Sequence, residues 1–288
     1  MDISIIKNLK LKNLTDLKGA FTLNNGVKMP YLGLGVYLSE DGQEVTNAVK
    51  WALEEGYRHI DTASIYKNEE GVGKGVRESG IDRKDIFVVS KVWNSDQGYD
   101  ATLKAYEASL KRLNLDYLDL YLVHWPVKGK YKETWRALEY LYGQKRVKAI
   151  GVSNFMQHHL EDLLSSSKYV PMVNQMEFHP YLVQQDLIDF CNKNTIQYEA
   201  WSPLMQGHIF ELDIMKDLAA KYNKTIAQIV LRWSLQKGVV TIPKSTKKER
   251  IKANADIFDF ELLAADTKKL DQLDCGIRFG PDPNNFDF

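Results

Sequence analysis

Short apolar runs alternate with amphipathic segments along most of this 288-residue chain. Eight apolar runs have the length of β-strands, and helical periodicity fills the intervals between them at a repeat of roughly 25 to 30 residues. The predicted strands are 32–35, 59–60, 86–90, 117–123, 147–152, 172–175, 197–200 and 239–242. The predicted helices are 43–55, 69–78, 99–113, 132–142, 158–165, 183–193, 212–222, 226–237, 247–256 and 266–273. Eight such units predict a parallel sheet closed into a (β/α)8 TIM barrel, with an open doubly wound sheet as the alternative.

A β-hairpin is predicted just before this alternation begins. Residues 21–30 alternate in polarity around Asn25-Gly26, the strongest short turn signal. We expect this hairpin to close the bottom of the barrel. Residues 1–19 carry leucines at mixed spacing among lysines and asparagines, and we interpret them as an N-terminal extension. No Pro/Gly/Ser-rich linker follows, so residues 20–288 are predicted to form a single (β/α)8 domain.

Charge and cysteine usage limit the functional class. Basic and acidic residues both number 38, so the formal net charge is zero and a nucleic-acid or other general polyanion binder is disfavoured. The two cysteines lie far apart without metal-ligand spacing, which is typical of a reducing compartment. Residues 1–12 contain no signal-peptide or membrane-spanning pattern. We therefore expect a cytoplasmic protein without nucleic-acid or membrane partners, monomeric or weakly dimeric.

Four ionisable residues follow three consecutive predicted strands. Asp61 and Tyr66 lie after the second strand, Lys91 after the third and His124 after the fourth. Alone, Lys91 fits a surface lysine and His124 an ordinary core histidine. In a barrel, however, strands end at one rim, where active sites gather. The combination therefore predicts a proton-transfer site built around a phenol.

The chemistry of these four groups is complementary. A free tyrosine has a pKa near ~10, too high for an efficient acid-base group at neutral pH. A nearby lysine ammonium favours the phenolate and lowers that pKa. An aspartate can hold the lysine charged and in place, and a neutral imidazole can orient a substrate carbonyl.

Several longer motifs contain these residues in a fixed order. They are Gly56-Tyr-Arg-His-Ile-Asp-Thr-Ala-Ser-Ile-Tyr66, Ser90-Lys91-Val-Trp93, Asp119-Leu-Tyr-Leu-Val-His124-Trp-Pro126, Ile150-Gly-Val-Ser-Asn154-Phe155, Asn174-Gln175 and Ile242-Pro-Lys-Ser245. From about Phe21 onward the chain resembles the aldo-keto reductases, particularly bacterial members with short loops. The resemblance implies NADPH as hydride donor and a catalytic tetrad of Asp61, Tyr66, Lys91 and His124, with Tyr66 as proton donor.

The resemblance also implies how the cofactor would be bound. Ser153, Asn154 and Gln175 would bind the carboxamide, and the ring of Trp201 would stack on the nicotinamide. Segment 202–206 would lie over the pyrophosphate, and the 2′-phosphate would be bound by Lys244, Ser245 and Arg250, with Asn254 near the adenine. In the order of the chain the implied contacts are Val36, Tyr37, Asp61, Ser153, Asn154, Gln175, Trp201, Ser202, Leu204, Gln206, Lys244, Ser245, Thr246, Arg250 and Asn254. The helix macrodipole disfavours a cluster of cations at a helix start, so the basic residues there indicate a phosphate site.

The resemblance further implies a substrate class. The implied pocket is formed by Tyr37, Trp93, His124 and Trp125. Because the loops around the pocket shape substrate choice in that family, the short connections here imply an open pocket and broad selectivity. The resemblance implies the reduction of aldehydes and reactive ketones or dicarbonyls, as in aldehyde detoxification. Two other classes remain open: a lyase with a Schiff base on Lys91 or Lys244, and an NADPH-sensing module without turnover.

Other motifs are too incomplete to predict a site. Gly33-Leu-Gly35 and the glycines at 71, 73 and 75 complete no nucleotide-binding motif and are interpreted as packing or turn residues. The adjacent His158-His159 and the pair Glu177 and His179 offer too few ligands in register for a metal. We therefore expect no metal requirement.

Overall fold

The computed structural model describes residues 14–288, so most of the predicted extension 1–19 lies outside the described residues. Leu14 is buried, and its carbonyl oxygen accepts a hydrogen bond of 3.2 Å from Nη1 of Arg232. The chain is therefore packed against the barrel from Leu14 onward. The domain boundary at residue 19 stays a prediction.

Eight parallel strands form the central sheet. The hairpin strands are β1 (Ala20–Thr22) and β2 (Lys28–Pro30), and the barrel strands are β3 (Leu34–Gly35), β4 (His59–Asp61), β5 (Phe87–Val92), β6 (Leu118–Val123), β7 (Val147–Ser153), β8 (Val173–Glu177), β9 (Gln197–Trp201) and β10 (Val240–Thr241). Neighbours in the sheet follow chain order from β3 to β10. Parallel bridges from Leu32 to Thr241 and from Gly35 to Lys244 join the two ends. The predicted (β/α)8 barrel is confirmed.

Helices cover the outside of the barrel. They are α1 (Gln43–Glu54), α2 (Glu69–Glu78), α3 (Tyr99–Leu113), α4 (Tyr131–Gly143), α5 (Gln157–Leu164), α6 (Gln185–Lys193), α7 (Asp213–Tyr222), α8 (Ile226–Gln236), α9 (Lys248–Ala255) and α10 (Ala264–Asp271). Predicted and observed ends differ by at most two residues, the usual uncertainty of helix and strand ends. Short 3₁₀ segments were not predicted, because three to seven residues carry too little periodicity; they are Ser64–Tyr66, Arg83–Asp85, Asn94–Asp96 and Met205–Glu211. Within the described range, no helix is both long and apolar enough to cross a bilayer.

The hairpin covers the end of the barrel where the strands begin. Phe21 and Met29 are buried against the core. The side-chain amide of Asn25 donates to the carbonyl of Lys148 at the start of β7 (2.9 Å), and that of Asn24 donates to the carbonyl of Pro171, just before β8 (3.2 Å). The predicted hairpin is thus present at the bottom, which leaves the opposite rim free for a site.

Glycines allow close packing where the barrel closes. A Cβ on Gly35 would stand 2.7 Å from the carbonyl oxygen of Ile242, so only glycine lets the first and last barrel strands approach. A Cβ on Gly73 would stand 1.8 Å from the carbonyl oxygen of Leu113, at the contact between α2 and α3. These are packing glycines, as the sequence indicated.

Candidate active site

The four predicted acid-base residues meet at the C-terminal rim of the barrel. Asp61 ends β4, Tyr66 ends the 3₁₀ turn after it, Lys91 lies near the end of β5, and His124 directly follows β6. Their proximity follows from the topology, because β4, β5 and β6 are neighbours in the sheet.

Lys91 is the centre of this cluster and is fully buried. Its Nζ donates to Oδ1 of Asp61 at 2.6 Å, to the carbonyl of Thr62 at 3.0 Å and to the hydroxyl of Tyr66 at 3.4 Å. All three ammonium hydrogens therefore have acceptors. Burial is the largest single influence and lowers the pKa of Lys91, but the carboxylate of Asp61, together with Tyr66 and Glu199, raises this pKa above its usual value.

The sequence predicts that the nearby lysine lowers the pKa of Tyr66, but the net shift in the structure is upward. Burial raises the pKa to about 12, and the nearby charge of Lys91, which lowers it, offsets burial only in part. The phenol consequently keeps its proton at neutral pH. A protonated phenol beside a fixed ammonium can donate a proton and leave a stabilised phenolate.

The ring of His124 is uncharged and faces the same space as the hydroxyl of Tyr66. Its centroid lies 5.8 Å from that of Tyr66 and 5.2 Å from that of Trp93, both in edge-to-face geometry. Burial, and then the charge of Lys91, place the pKa of His124 well below its usual range. A neutral imidazole at this position can exchange hydrogen bonds with a carbonyl oxygen without adding charge, as predicted.

Asn68 holds the turn that carries Tyr66, a role that the sequence did not reveal. Asn68 directly precedes α2, but its side chain forms no capping hydrogen bond with that helix. Instead its amide donates to the carbonyls of Val36 (2.9 Å) and Ser39 (3.0 Å), and its Oδ1 accepts from the hydroxyl of Thr62 (2.8 Å). The loops after β3 and β4 are thereby fixed to each other.

The residues expected to bind a carboxamide also converge at the rim. The hydroxyl of Ser153 donates to the carbonyl of Gln175 (2.9 Å), and the amide of Asn154 donates to the carbonyl of His124 (3.0 Å). Nε1 of Trp201 donates to Oδ1 of Asn154 at 3.0 Å. The ring of Trp201 is half-buried, so part of it remains available to a ligand. The strand ends of β7, β8 and β9 thus form one continuous surface.

The segment expected over the pyrophosphate is tied to the chain's C-terminal part. Ser202 and Gln206 have positive φ angles of 54° and 52°, and Leu204 between them is half-buried. The side-chain amide of Gln206 donates to the carbonyl of Phe279 at 3.1 Å, and the ring of His208 stacks on that of Phe279. This contact was missed because it joins residues 73 positions apart.

Exposed cations lie at the end of the barrel expected to hold a phosphate. Within residues 14–288, the exposed side chains of Lys244 and Arg250 form no ion pair. Lys248 differs, since its Nζ lies 3.1 Å from a carboxylate oxygen of Glu54. Ser245 accepts a bond from the backbone N–H of residue 247, Thr246 is half-buried, and Asn254 is buried on the following helix. Unpaired cations beside a helix N-terminus suit an anion.

The aromatic pocket is narrower than the sequence suggested. Trp93 and Trp125 line it, Tyr37 lies at its exposed edge, and Val36 is buried beneath. Phe288 stacks on Trp93 with centroids 5.7 Å apart and planes inclined by 7°, and Phe286 lies 5.2 Å from Trp125. The sequence predicts an open pocket, but on the side of Trp93 and Trp125 the aromatic rings of the C-terminal residues Phe286 and Phe288 close it.

The pair Glu177 and His179 anchors that tail. Oε1 of Glu177 accepts from the backbone N–H groups of Phe279 (2.7 Å) and Gly280 (3.1 Å) and lies 3.1 Å from Nε2 of His179. In the described part of the chain, no three His, Cys, Asp or Glu side chains come together in a way that could hold a metal ion.

Comparison with known proteins decides the family. The model of the Aldo/keto reductase family matches residues 32–274. The chain belongs to the aldo/keto reductase family. It is 58% identical over 274 residues to the glyoxal reductase of Bacillus subtilis, covering 95% of this chain and 99% of that protein. It is 45% identical over 268 residues to the methylglyoxal reductase DkgA of Escherichia coli, covering 92% and 96%.

Solved structures of this aldo/keto reductase's relatives share its fold. MGS-M4, an aldo-keto reductase from a Medee basin deep-sea metagenome library, matches with a TM-score of 0.91 and 47% identity, covering 93% of this chain and all of that one. A mutant of Gox0644 in complex with NADPH matches with a TM-score of 0.89 and 44% identity, covering 93% and 98%. That relative therefore binds the cofactor expected here.

Gly280 makes room for Trp201, and this contact can be tested. A Cβ at Gly280 would stand 2.2 Å from Cη2 of the indole. We expect Gly280→Ala to displace the ring and weaken NADPH binding severalfold, with a changed tryptophan emission spectrum. Gly276→Ala is a nearby control with open space, although its positive φ of 71° adds local strain. Unchanged emission and affinity in Gly280→Ala would show that the ring is not confined there.

Proposed function

We propose that this protein reduces aldehydes and reactive ketones, including dicarbonyls, to alcohols, with Tyr66 as proton donor. Family membership makes it an NADPH-dependent oxidoreductase. The role of Tyr66 as proton donor is supported by the hydrogen-bonded chain from Asp61 through Lys91 to Tyr66, beside the neutral ring of His124. A protonated phenol, a fixed cation and an uncharged hydrogen-bonding ring are what protonation of a developing alkoxide requires.

The cleft across the strand ends fits NADPH. Ser153, Asn154 and Gln175 supply amide and hydroxyl groups for the carboxamide, and the accessible face of Trp201 suits a flat ring. Lys244 and Arg250, which form no ion pair with any other residue of 14–288, supply positive charge for the 2′-phosphate. When bound, NADPH supplies the hydride that reduces the carbonyl carbon.

The protein's own groups would complete the reaction at oxygen. His124 orients the carbonyl, and Tyr66 donates its proton to the oxygen as negative charge develops there. Lys91, held by Asp61, stabilises the resulting phenolate. Solvent then restores the proton to Tyr66.

The pocket supports small, uncharged carbonyl substrates. Its walls at Trp93 and Trp125 are aromatic and are narrowed further by Phe286 and Phe288. The relatives named glyoxal reductase and methylglyoxal reductase point to the same chemistry. Turnover of NADPH with a panel of aldehydes and dicarbonyls tests this. If NADPH binds but no substrate in the panel is consumed, the sensing module is favoured instead.

The unpaired cations predict a preference for the phosphorylated cofactor. We expect Lys244→Ala and Arg250→Ala each to weaken NADPH binding by about 10-fold or more, because each removes a charge-assisted contact worth about 1.5–3 kcal/mol. NADH binding should change little. Lys248→Ala is the matched control, since Lys248 already pairs with Glu54. Equal losses for NADPH and NADH, measured by fluorescence titration, would contradict the 2′-phosphate assignment.

The structure gives little support to a Schiff-base lyase. Lys91 donates to three acceptors and its pKa is raised, so its amine is charged and a poor nucleophile. Borohydride trapping remains the direct test, and we expect no substrate to become attached to the protein.

A further inference from the structure

A second polar cluster lies inside the barrel, directly beside the tetrad. Gln175 is nearly fully buried, and its Nε2 donates to Oδ2 of Asp61 at 2.8 Å and to Oε2 of Glu199 at 2.9 Å. Glu199 is itself completely buried, on the neighbouring strand β9. One amide therefore joins the catalytic ion pair to an additional carboxyl group.

The far side of Glu199 faces His59. Oε1 of Glu199 and Nε2 of His59 lie 3.5 Å apart; both are buried, and neither has another hydrogen-bond partner within residues 14–288. His59 lies two positions before Asp61 on β4, so both side chains point into the barrel. Two unsatisfied buried atoms this close are satisfied together if one proton lies between them.

Electrostatics place that proton on the carboxyl group. Burial raises the pKa of Glu199 to about 8, and the charge of Asp61 adds to this, while Gln175 and Lys91 oppose it. Burial lowers the pKa of His59 to about 3. The backbone carbonyl of Pro30 raises this pKa in part, and the positive charge of Lys91 lowers it further. The imidazole is consequently neutral, and a protonated Oε1 can donate to its Nε2.

We propose that Glu199 is a positioning residue that is protonated at neutral pH, donates to His59, and fixes the amide of Gln175 for cofactor binding. With both Nε2 hydrogens held by Asp61 and Glu199, the side-chain oxygen Oε1 of Gln175 is the acceptor left for a ligand N–H group. The part of this inference that concerns NADPH rests on the proposed function; the protonation state does not.

Ionisation of Glu199 would change the charge of the site. The protonated form leaves Asp61 and Lys91 as a balanced pair. Loss of the proton adds a negative charge separated from Asp61 by one amide group, beside the residue expected to hold the nicotinamide. That charge favours the cationic ring of NADP⁺ over the uncharged ring of NADPH.

Glu199→Gln is a close mimic of the protonated acid. Its carbonyl can accept from Gln175 and its amide can donate to His59, but it cannot ionise. In infrared spectra of the cofactor-free protein, we expect a wild-type band from a buried protonated carboxyl group. The band should disappear with a midpoint near pH 8 and be absent from Glu199→Gln. A wild-type protein without this band at neutral pH would overturn the proposal.

Cofactor affinity gives a separate readout. At neutral pH, Glu199→Gln should bind NADPH within about twofold of wild type. Above pH 8 the wild-type ratio of affinities should shift severalfold toward NADP⁺, whereas the ratio in Glu199→Gln should stay flat. The same shift in both proteins would overturn the role of Glu199. Failure of both to bind NADPH would instead contradict the proposed function and leave the infrared result to decide the protonation state.

Folding stability should respond with a predictable sign. The native state keeps a proton on Glu199 that the unfolded chain has released, so this group costs increasing stability as pH rises from about 4.5 to about 8. Glu199→Gln lacks that cost. Its melting temperature should therefore exceed that of wild type by a margin that widens over this range, and a margin independent of pH would count against the raised pKa.

Discussion

Tyr66→Phe should lower kcat by about 10²–10⁴-fold, the range that a positioned general acid contributes. The substitution removes the hydroxyl that lies 3.4 Å from Nζ of Lys91 and keeps the ring that packs against His124. NADPH affinity should stay nearly unchanged, because the phenol acts on the substrate oxygen. The loss should appear in NADPH oxidation assays with any accepted aldehyde.

Tyr140→Phe is the matched control for that variant. Tyr140 is exposed on α4, outside the barrel, and its substitution removes the same hydroxyl group without touching the site. It should retain wild-type turnover. If Tyr66→Phe also retained wild-type turnover, Tyr66 would not be the proton donor.

Lys91→Met should reduce both activity and stability. The variant leaves the carboxylate of Asp61 buried without its cation, which is 2.6 Å away in the wild type. Removing one partner of a buried ion pair costs about 3–5 kcal/mol of unfolding free energy. Turnover should fall as well, because the phenolate of Tyr66 would lose its stabilising charge. Denaturant unfolding and steady-state kinetics measure the two effects separately.

The double variant Asp61→Asn with Lys91→Met separates the two effects. Removing both charges avoids the unpaired carboxylate, so the double variant should be more stable than Lys91→Met alone. Its turnover should remain low, since the cation beside Tyr66 is still missing. If the stability loss of the double variant equalled the sum of the losses of the two single variants, Asp61 and Lys91 would not act as a buried pair.

The sequence predicted the fold and the tetrad because both depend on local patterns. Strand and helix ends came from hydrophobic periodicity, and Asp61, Lys91 and His124 stand at or near strand ends, where a barrel places them together. Charge balance inside the barrel is not a local property. The net effect of burial on the pKa of Tyr66 therefore appeared only once the packing was known.

Contacts between distant residues were beyond sequence reasoning. The side-chain amide of Asn94 donates to the carbonyl of Phe288, 194 positions away, and no local pattern marks either residue as a pocket wall. Glu199 was interpreted only as part of a strand, since its partners lie on β8 and on the far strand β4. An acidic residue inside an apolar strand is the one signal that could have identified it.

In the proposed reaction, hydride passes from the cofactor to the carbonyl carbon while the protein supplies the proton at oxygen. NADPH carrying deuterium at C4 of the nicotinamide, followed by mass spectrometry of the product alcohol, tests this directly. We expect one deuterium on the carbinol carbon when the cofactor is labelled on the transferred face, and none on that carbon when unlabelled cofactor reacts in D₂O. Solvent deuterium on the carbinol carbon, or product without cofactor deuterium from either labelled face, would contradict it.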